Sequence, residues 1–320
     1  MQRRAVVFHT RSDRFKVMSG VHVFMRNDSP LRYPGGKSRI SDFMREVVLL
    51  NGCRKHYVEP FAGGAGVALS LLYDSTVDMI TINDKDSAVS SFWWSAVYDS
   101  EEFCNKIENV PITVEEWKRQ RDIQCDETSS KLDIGFSTFF LNRTNRSGVI
   151  DAGPIGGHDQ KGNYKIDARF NKDELILRVK KLGRFRDKIN VTDMDAGDLI
   201  KHYLPKLSTD CLVYLDPPYL KQGPNLYLNH FTYDDHRKLS KNISSLTQKW
   251  VVSYDNQPDI RDLYSQYSGR TFSINYSVVN GREGSEVMFF SKNLSVPEQM
   301  SIVNGANRVL ESNIKSSAHV

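Results

Sequence analysis

Asp216-Pro217-Pro218-Tyr219 sets a carboxylate, two tertiary amides and a phenol side by side, directly after the apolar run Cys211–Leu215. The prolines remove two backbone donors and stiffen the turn. Their carbonyls, and that of the preceding residue, remain to accept hydrogen bonds. This set suits a planar ring bearing an amino group: the ring stacks on Tyr219 while Asp216 and a backbone carbonyl take the two amino hydrogens. An exocyclic aromatic amine is a poor nucleophile because its lone pair is delocalised into the ring. Two acceptors on its hydrogens favour the tetrahedral geometry in which the nitrogen can attack. The same four residues on a surface loop would be only a capped Pro-Pro turn. Their place after a buried strand matters, because open α/β sheets bind ligands at the carboxyl ends of their strands.

A second group, Glu59-Pro60-Phe61-Ala62-Gly63-Gly64-Ala65-Gly66, also follows a short strand-like segment, His56–Pro60. Its glycines let the backbone approach a ligand closely before a helix begins. Asp84 lies 18 residues after Gly66, at the end of the next apolar segment, where a carboxylate can accept from ribose hydroxyls. The glycine pattern is neither GxGxxG nor a GK[ST] loop, so a nucleoside cofactor without a pyrophosphate fits better than a dinucleotide. A third group, Arg32-Tyr33-Pro34-Gly35-Gly36-Lys37, stands ahead of a helical pattern and alone signals a turn.

The elements that must position these groups follow from periodicity. Ser38–Leu50 carries a helical apolar stripe closed by Asn51-Gly52. Val67–Tyr73, Asp86–Tyr98 and Glu101–Ile107 are expected to be helices, and Val77–Ile82 and Lys249–Ser253 strands. Cys211–Leu215 is a continuous apolar run, as in a strand covered on both faces. Arg270–Val278 and Ser285–Phe290 flank glycines and predict an antiparallel hairpin. Alternating strands and helices imply an α/β fold with a mainly parallel sheet, made mixed by that hairpin.

The chain of 320 residues is 39% hydrophobic and 26% charged, an ordinary globular composition. No apolar run reaches membrane-spanning length. Cys53, Cys104, Cys125 and Cys211 form no CxxC pair or zinc-type spacing, so reduced thiols and no metal are expected. The net charge is +4, yet Asn142 to Lys188 alone carries twelve Lys/Arg against six Asp/Glu. A concentrated basic region suits a polyanion partner, although a solvated helix face near Arg178–Lys188 would read the same way. The first residues carry no convincing signal peptide, and Met25 offers an alternative start.

RYPGGK, EPFAGGAG, INDKD and DPPY, in this order and spacing, resemble the Dam-like DNA adenine methyltransferases over roughly Leu31 to Lys292. The resemblance implies a Rossmann-like methyltransferase fold with a mixed sheet of seven-stranded type, and S-adenosylmethionine as cofactor. It implies that Tyr33 and Lys37 contact the cofactor, that Phe61, Gly63, Gly64 and Gly66 line its methionine portion, and that Asp84 holds its ribose. Asp216 would lie between cofactor and target amine, with Pro217, Pro218 and Tyr219 completing the catalytic motif. Many relatives carry Trp where this chain has Tyr33. The family places a target-recognition domain between the cofactor half and DPPY. Here that is the Gly- and Asn-rich insert, with Arg143, Asn145 and Arg146 as base readers, since Arg pairs bidentately with guanine and Asn with adenine.

The expected organisation is therefore an N-terminal extension at 1–29, a catalytic domain at 30–112 and 176–294, a target-recognition insert at 113–175 and a polar tail at 295–320. The expected partner is double-stranded DNA in the cytoplasm, with no membrane and no obligate protein partner. A cognate restriction nuclease is left open by the resemblance. The alternatives are methylation of RNA adenine or of cytosine amino groups, and a catalytically silent DNA-binding module on the same fold.

Overall fold

The computed structural model describes residues 28–32, 40–220, 231–275, 283–298 and 312–314. Its centre is one sheet of eight strands: β1 (His56–Glu59), β2 (Met79–Asn83), β3 (Ile189–Thr192), β4 (Cys211–Leu215), β5 (Lys249–Asp255), β6 (Ser268–Asn275), β7 (Glu283–Phe290) and β8 (Ser312–Ile314). The spatial order is β3-β2-β1-β4-β5-β7-β6-β8. The first five strands are parallel to their neighbours. β7 runs antiparallel between β5 and β6. β8 closes the far edge against Gly269–Thr271, so the expected polar tail contributes a strand.

From β1 the chain winds outward through β2 to β3, then returns to place β4 on the other side of β1. The β1/β4 boundary is thus a topological switch point, where helices depart to opposite sides and leave a crevice at the carboxyl ends. Every residue of β1 and β4 is buried, as expected of parallel strands covered on both faces. Successive side chains alternate between two apolar layers: Tyr57 joins one and Val58 the other.

The first layer is built by α1 (Ser41–Asn51), α2 (Gly66–Tyr73), α3 (Ser87–Tyr98), α4 (Ser100–Asn109), α5 (Val114–Cys125), α6 (Lys131–Thr144) and α7 (Lys172–Arg184). The second contains the helical turns through 196–206, α8 (Tyr233–Ser244) and α9 (Pro258–Leu263).

The sequence pattern marks no helix over α6, and the reason is its burial. Gly135 to Thr144 is covered without interruption, so no polar face writes a period into the sequence. α6 lies against α3 so closely that a Cβ on Gly135 would stand 2.5 Å from the Ser91 carbonyl oxygen. Phe136, Phe139 and Phe140 of α6 share one core with Phe92 of α3 and Phe103 of α4. The expected domain boundary at 113 therefore falls inside a shared core. Ile166 and Phe170 of the stretch after α6 join the same core, and its exposed residues lie mainly between them and the end of α6.

Among the described residues no helix is long and apolar enough to cross a membrane. No group of three or more His, Cys, Asp or Glu among them is placed to hold a metal.

Candidate active site

Three loops meet along the carboxyl edge of β2, β1 and β4. Asn83, the last residue of β2, ties the edge together. Its amide nitrogen donates to the carbonyls of Pro60 (2.8 Å) and Met194 (3.0 Å). Its amide oxygen accepts from the Thr192 hydroxyl (2.7 Å) and the Met194 N–H (2.9 Å). A fully satisfied buried amide of this kind fixes the strand ends in register.

The glycine loop is held from three sides. Ala62 donates its N–H to the Asn83 carbonyl at 2.9 Å. The Trp93 indole of α3 donates to the Gly63 carbonyl at 2.8 Å. The Gly63 N–H donates to Asp84 Oδ2 at 2.9 Å, and Asp86 N–H to Asp84 Oδ1 at 3.1 Å. Asp84 is half-buried, and burial pushes its carboxyl up to about 6 despite these two donors. It is thus a carboxylate short of hydrogen-bond donors beside a glycine turn, and a vicinal diol would supply two. The residues present therefore fit a ribose.

Glu59, at the end of β1, is 4% exposed, and its Oε1 accepts from the Ala68 N–H in the first turn of α2 at 2.9 Å. Burial, and secondarily the negative charge of Asp216, push its carboxyl up to about 8. Burial thus favours the neutral form of Glu59, and Asp216 across the β1/β4 boundary favours it further.

Asp216 follows β4 and is half-buried, while Tyr219 is 7% exposed. The Tyr219 hydroxyl donates to Asp216 Oδ1 at 3.2 Å. The Ser253 hydroxyl of β5 donates to the same oxygen at 2.7 Å. Phe61 meets Phe231 edge-on, with ring centroids 5.7 Å apart, so the glycine loop also touches the segment leading into α8.

The sheet edge thus brings together Phe61, Gly63, Gly64, Gly66, Asp84, Asp216, Pro217, Pro218 and Tyr219. Tyr33 and Lys37 lie outside the described residues. The expected base readers separate. Asn145 is wholly buried: its amide oxygen accepts from the Trp117 indole (2.6 Å), and its amide nitrogen donates to the carbonyls of Val149 (2.9 Å) and Ile150 (2.6 Å). Arg143 is buried as well and donates to the Pro30 carbonyl at 2.7 Å. Desolvation, aided by nearby Arg178 and Arg32, lowers its pKa to about 9. Neither side chain can reach a base as placed. Arg146 is exposed.

Arg143 belongs to a clamp that residue types alone did not reveal. Asn142 receives the Arg32 N–H (2.7 Å) and donates to the Arg32 carbonyl (2.8 Å). Arg178 donates to the Ser29 carbonyl at 2.6 Å, and Lys181 pairs with Asp28 at 3.0 Å. Gly148, at φ +76°, lets the segment 28–32 pass as a strap over the end of α6, since a Cβ there would collide with the Arg32 carbonyl oxygen. Arg143, Arg178 and Lys181, three of the twelve basic residues of this stretch, are thus engaged by the chain itself. Lys172 likewise caps α4 through the carbonyls of Glu108 and Val110. Exposed after α6 are Arg146, Lys161, Lys165 and Arg169, with Tyr164 among them at 69% exposure, and Lys180, Arg184, Arg186 and Lys188 are exposed on and after α7.

The sheet order and the strand-end site define an α/β enzyme of the Rossmann-like methyltransferase fold. Residues 33–278 match the family model of D12 class N6 adenine-specific DNA methyltransferases. The chain belongs to that family. It is 22% identical over 232 residues to the Type II methyltransferase M.MjaIII of Methanocaldococcus jannaschii, covering 66% of this chain and 77% of that one. A solved structure, protein LPL1258 from Legionella pneumophila, overlaps 87% of this chain and 98% of its own at 14% identity. Its TM-score of 0.34 is too low to bear on fold or function.

Proposed function

We propose that this enzyme binds S-adenosylmethionine at the glycine loop and methylates the amino group of an adenine rotated out of duplex DNA, by direct in-line transfer. The observation that carries this reading is the junction of two strand-end loops at the β1/β4 switch point: a ribose-type carboxylate on one, and the DPPY carboxylate and phenol on the other. Asp84 accepts the ribose hydroxyls, and Phe61 with Gly63, Gly64 and Gly66 lines the methionine portion. Tyr33 and Lys37 add cofactor contacts, as the resemblance implies. S-adenosylmethionine supplies an electrophilic methyl group when bound.

The chain's own residues orient the nucleophile. Asp216 and a carbonyl of the Pro217-Pro218 turn accept the amine hydrogens, and acceptors placed where positive charge develops on nitrogen stabilise the transition state. The Tyr219 hydroxyl, whose 3.2 Å bond to Asp216 is the longer of the two on Oδ1, gives way to the amine as the ring takes up the base. Extruding a base costs about a few kcal/mol, and stacking on Tyr219 offsets roughly 1–3 kcal/mol of it. Residues 145–171 supply the target-recognition surface, with Arg146 at the bases and Lys161, Lys165 and Arg169 at phosphates. The M.MjaIII name indicates a Type II system for that relative. By analogy we extend to this chain a cognate restriction nuclease as functional partner.

The test is transfer of labelled methyl from S-adenosylmethionine to duplex DNA, RNA and protein in parallel, with modified positions mapped by single-molecule sequencing. Label in DNA adenine is expected. Label confined to RNA, cytosine or protein overturns the substrate, and cofactor binding without any transfer supports a silent module. Asp216→Ala should lower methyl transfer by about a hundredfold or more while the protein remains folded. Full activity of that variant defeats the mechanism.

A further inference from the structure

Behind Asp216 lies a buried polar chain that the motif does not contain. Ser253 sits in β5, two residues from its carboxyl end, wholly buried. Its hydroxyl stands 2.7 Å from Asp216 Oδ1 and 2.8 Å from the hydroxyl of Tyr214, a β4 residue two positions before Asp216 and 3% exposed. The directions of these bonds follow from chemistry. A carboxylate can only accept, so Ser253 gives its single proton to Asp216. Tyr214 must then donate to Ser253. Tyr214 is well suited to donating, because burial, followed by the charge of Asp216, raises its pKa well above the ordinary phenol value and keeps it protonated.

Among buried polar groups this arrangement is unusual in being otherwise unnecessary. Both residues lie in strands whose main chains are already paired, at Tyr214↔Val251 and Ser253↔Met288. Neither hydroxyl is needed for the sheet, and β5 would be complete with alanine at 253. Among the described residues, the bonds of both hydroxyls lead to the Asp216 carboxylate.

We propose that Ser253, held by Tyr214, is a positioning residue for methyl transfer: it fixes the Asp216 carboxylate against rotation when Tyr219 lets go to receive the base. This inference rests on the role given to Asp216 above. In the resting site Oδ1 has two hydroxyl donors on it. When Tyr219 moves to the base, Ser253 is the donor that stays, so the carboxylate meets the amine already aimed. A hydrogen bond to a charged group is roughly twice as strong as a neutral one, and loss of aim at the reacting centre is felt chiefly in the chemical step.

The experiment is steady-state and single-turnover methyl transfer to a long duplex DNA free of methylated adenine, with Ser253→Ala, Tyr214→Phe and the double variant. Ser253→Ala should lower kcat roughly tenfold to a hundredfold, leaving KM for DNA and the calorimetric affinity for S-adenosylmethionine unchanged. Tyr214→Phe should lower kcat by less. In the Ser253→Ala background it should add nothing, because it acts only through that hydroxyl. A structural role would instead lower cofactor affinity along with kcat and would add in the double variant. Wild-type kcat for Ser253→Ala overturns the proposal. So does a loss of activity accompanied by a matching loss of cofactor affinity. Asp216→Ala run in the same series separates the outcomes: if that variant is active, the mechanism itself fails, and if it is dead while Ser253→Ala is normal, only the positioning role fails.

Discussion

At the carboxyl edge of the sheet, Asp84 and Asp216 are half-buried, each directly after a buried parallel strand. At the end of α6, Arg143 in its last turn and Asn145 at its cap look equally functional by type, yet both are buried and engaged with the chain itself. The difference lies in what sets each position. A residue immediately after a parallel strand has its place fixed by the sheet, whose topology opens a crevice there whatever the sequence. A residue after a buried helix has no such guarantee. Its polar atoms go wherever orphaned backbone groups require partners, and here those belong to the strap 28–32 and to the turn itself.

The sharpest way to break this contrast is within two adjacent residues. Asn145→Ala strips three hydrogen bonds and leaves the Trp117 N–H without a partner, while the Val149 carbonyl keeps the Ala152 N–H and the Ile150 carbonyl keeps Arg121. At roughly 1–3 kcal/mol per unsatisfied buried group, we expect about 1–3 kcal/mol of lost stability, read as a lower Tm. Arg146→Ala should leave Tm unchanged and weaken DNA binding about tenfold, with a shallower salt dependence. An Asn145→Ala protein of normal Tm that lost DNA selectivity would return that residue to the interface and dissolve the distinction.

At the sheet edge the expected effects are smaller and depend on pH. Burial pushes Asp84 up to about 6 in the free protein, and only the ionised form accepts from both ribose hydroxyls. Cofactor affinity should therefore weaken as pH falls through 6. Asp84→Asn should bind about tenfold more weakly at pH 8 and lose that pH dependence. Calorimetry across pH 5 to 8 checks both, and an unchanged affinity in Asp84→Asn moves the ribose elsewhere.

Glu59→Gln should have the smallest effect, because the wild-type carboxyl is pushed up to about 8, which favours the neutral form at pH 7. The variant keeps an oxygen for the Ala68 N–H. The sign follows from linkage: a carboxyl raised above its unfolded value contributes stability that is complete in acid and is lost as pH climbs toward 8. Glu59→Gln should thus match the wild type near pH 5 and gain in relative Tm up to pH 8. A relative Tm that falls over this range would mean that Glu59 is ionised in the fold.

Much of the architecture was legible because the strands announce themselves. Cys211–Leu215 and the hairpin strands carry unbroken or alternating apolar runs, and the glycine loop and DPPY each follow one. β3 was not legible: Ile-Asn-Val-Thr is four residues of an edge strand, three of them only half-buried. α6 escaped because a helix buried all round has no amphipathic period. Ser253 and Asn83 are single polar residues at the ends of apolar strands. The sequence marks them only by that contrast, since their partners lie 37 and 23 or more positions away. The LNRTNRSG stretch showed residue types without directions. The missing information was the strap, which is distant in sequence by more than a hundred residues.

The glycine at 135 has a consequence for how the two substrates meet. Helix α3 grips the nucleotide-side loop through Trp93. On its other flank it comes nearly backbone to backbone at Gly135 with α6, the helix that leads into the segment proposed above to read DNA. At Gly135 no side chain separates the two backbones, and further along Phe92 stacks on Phe139 between them. On the function proposed above, the span from cofactor loop to DNA-reading segment is thereby set like a fixed gauge, and a methyl group added at that one crossing would wedge the gauge open without touching either substrate.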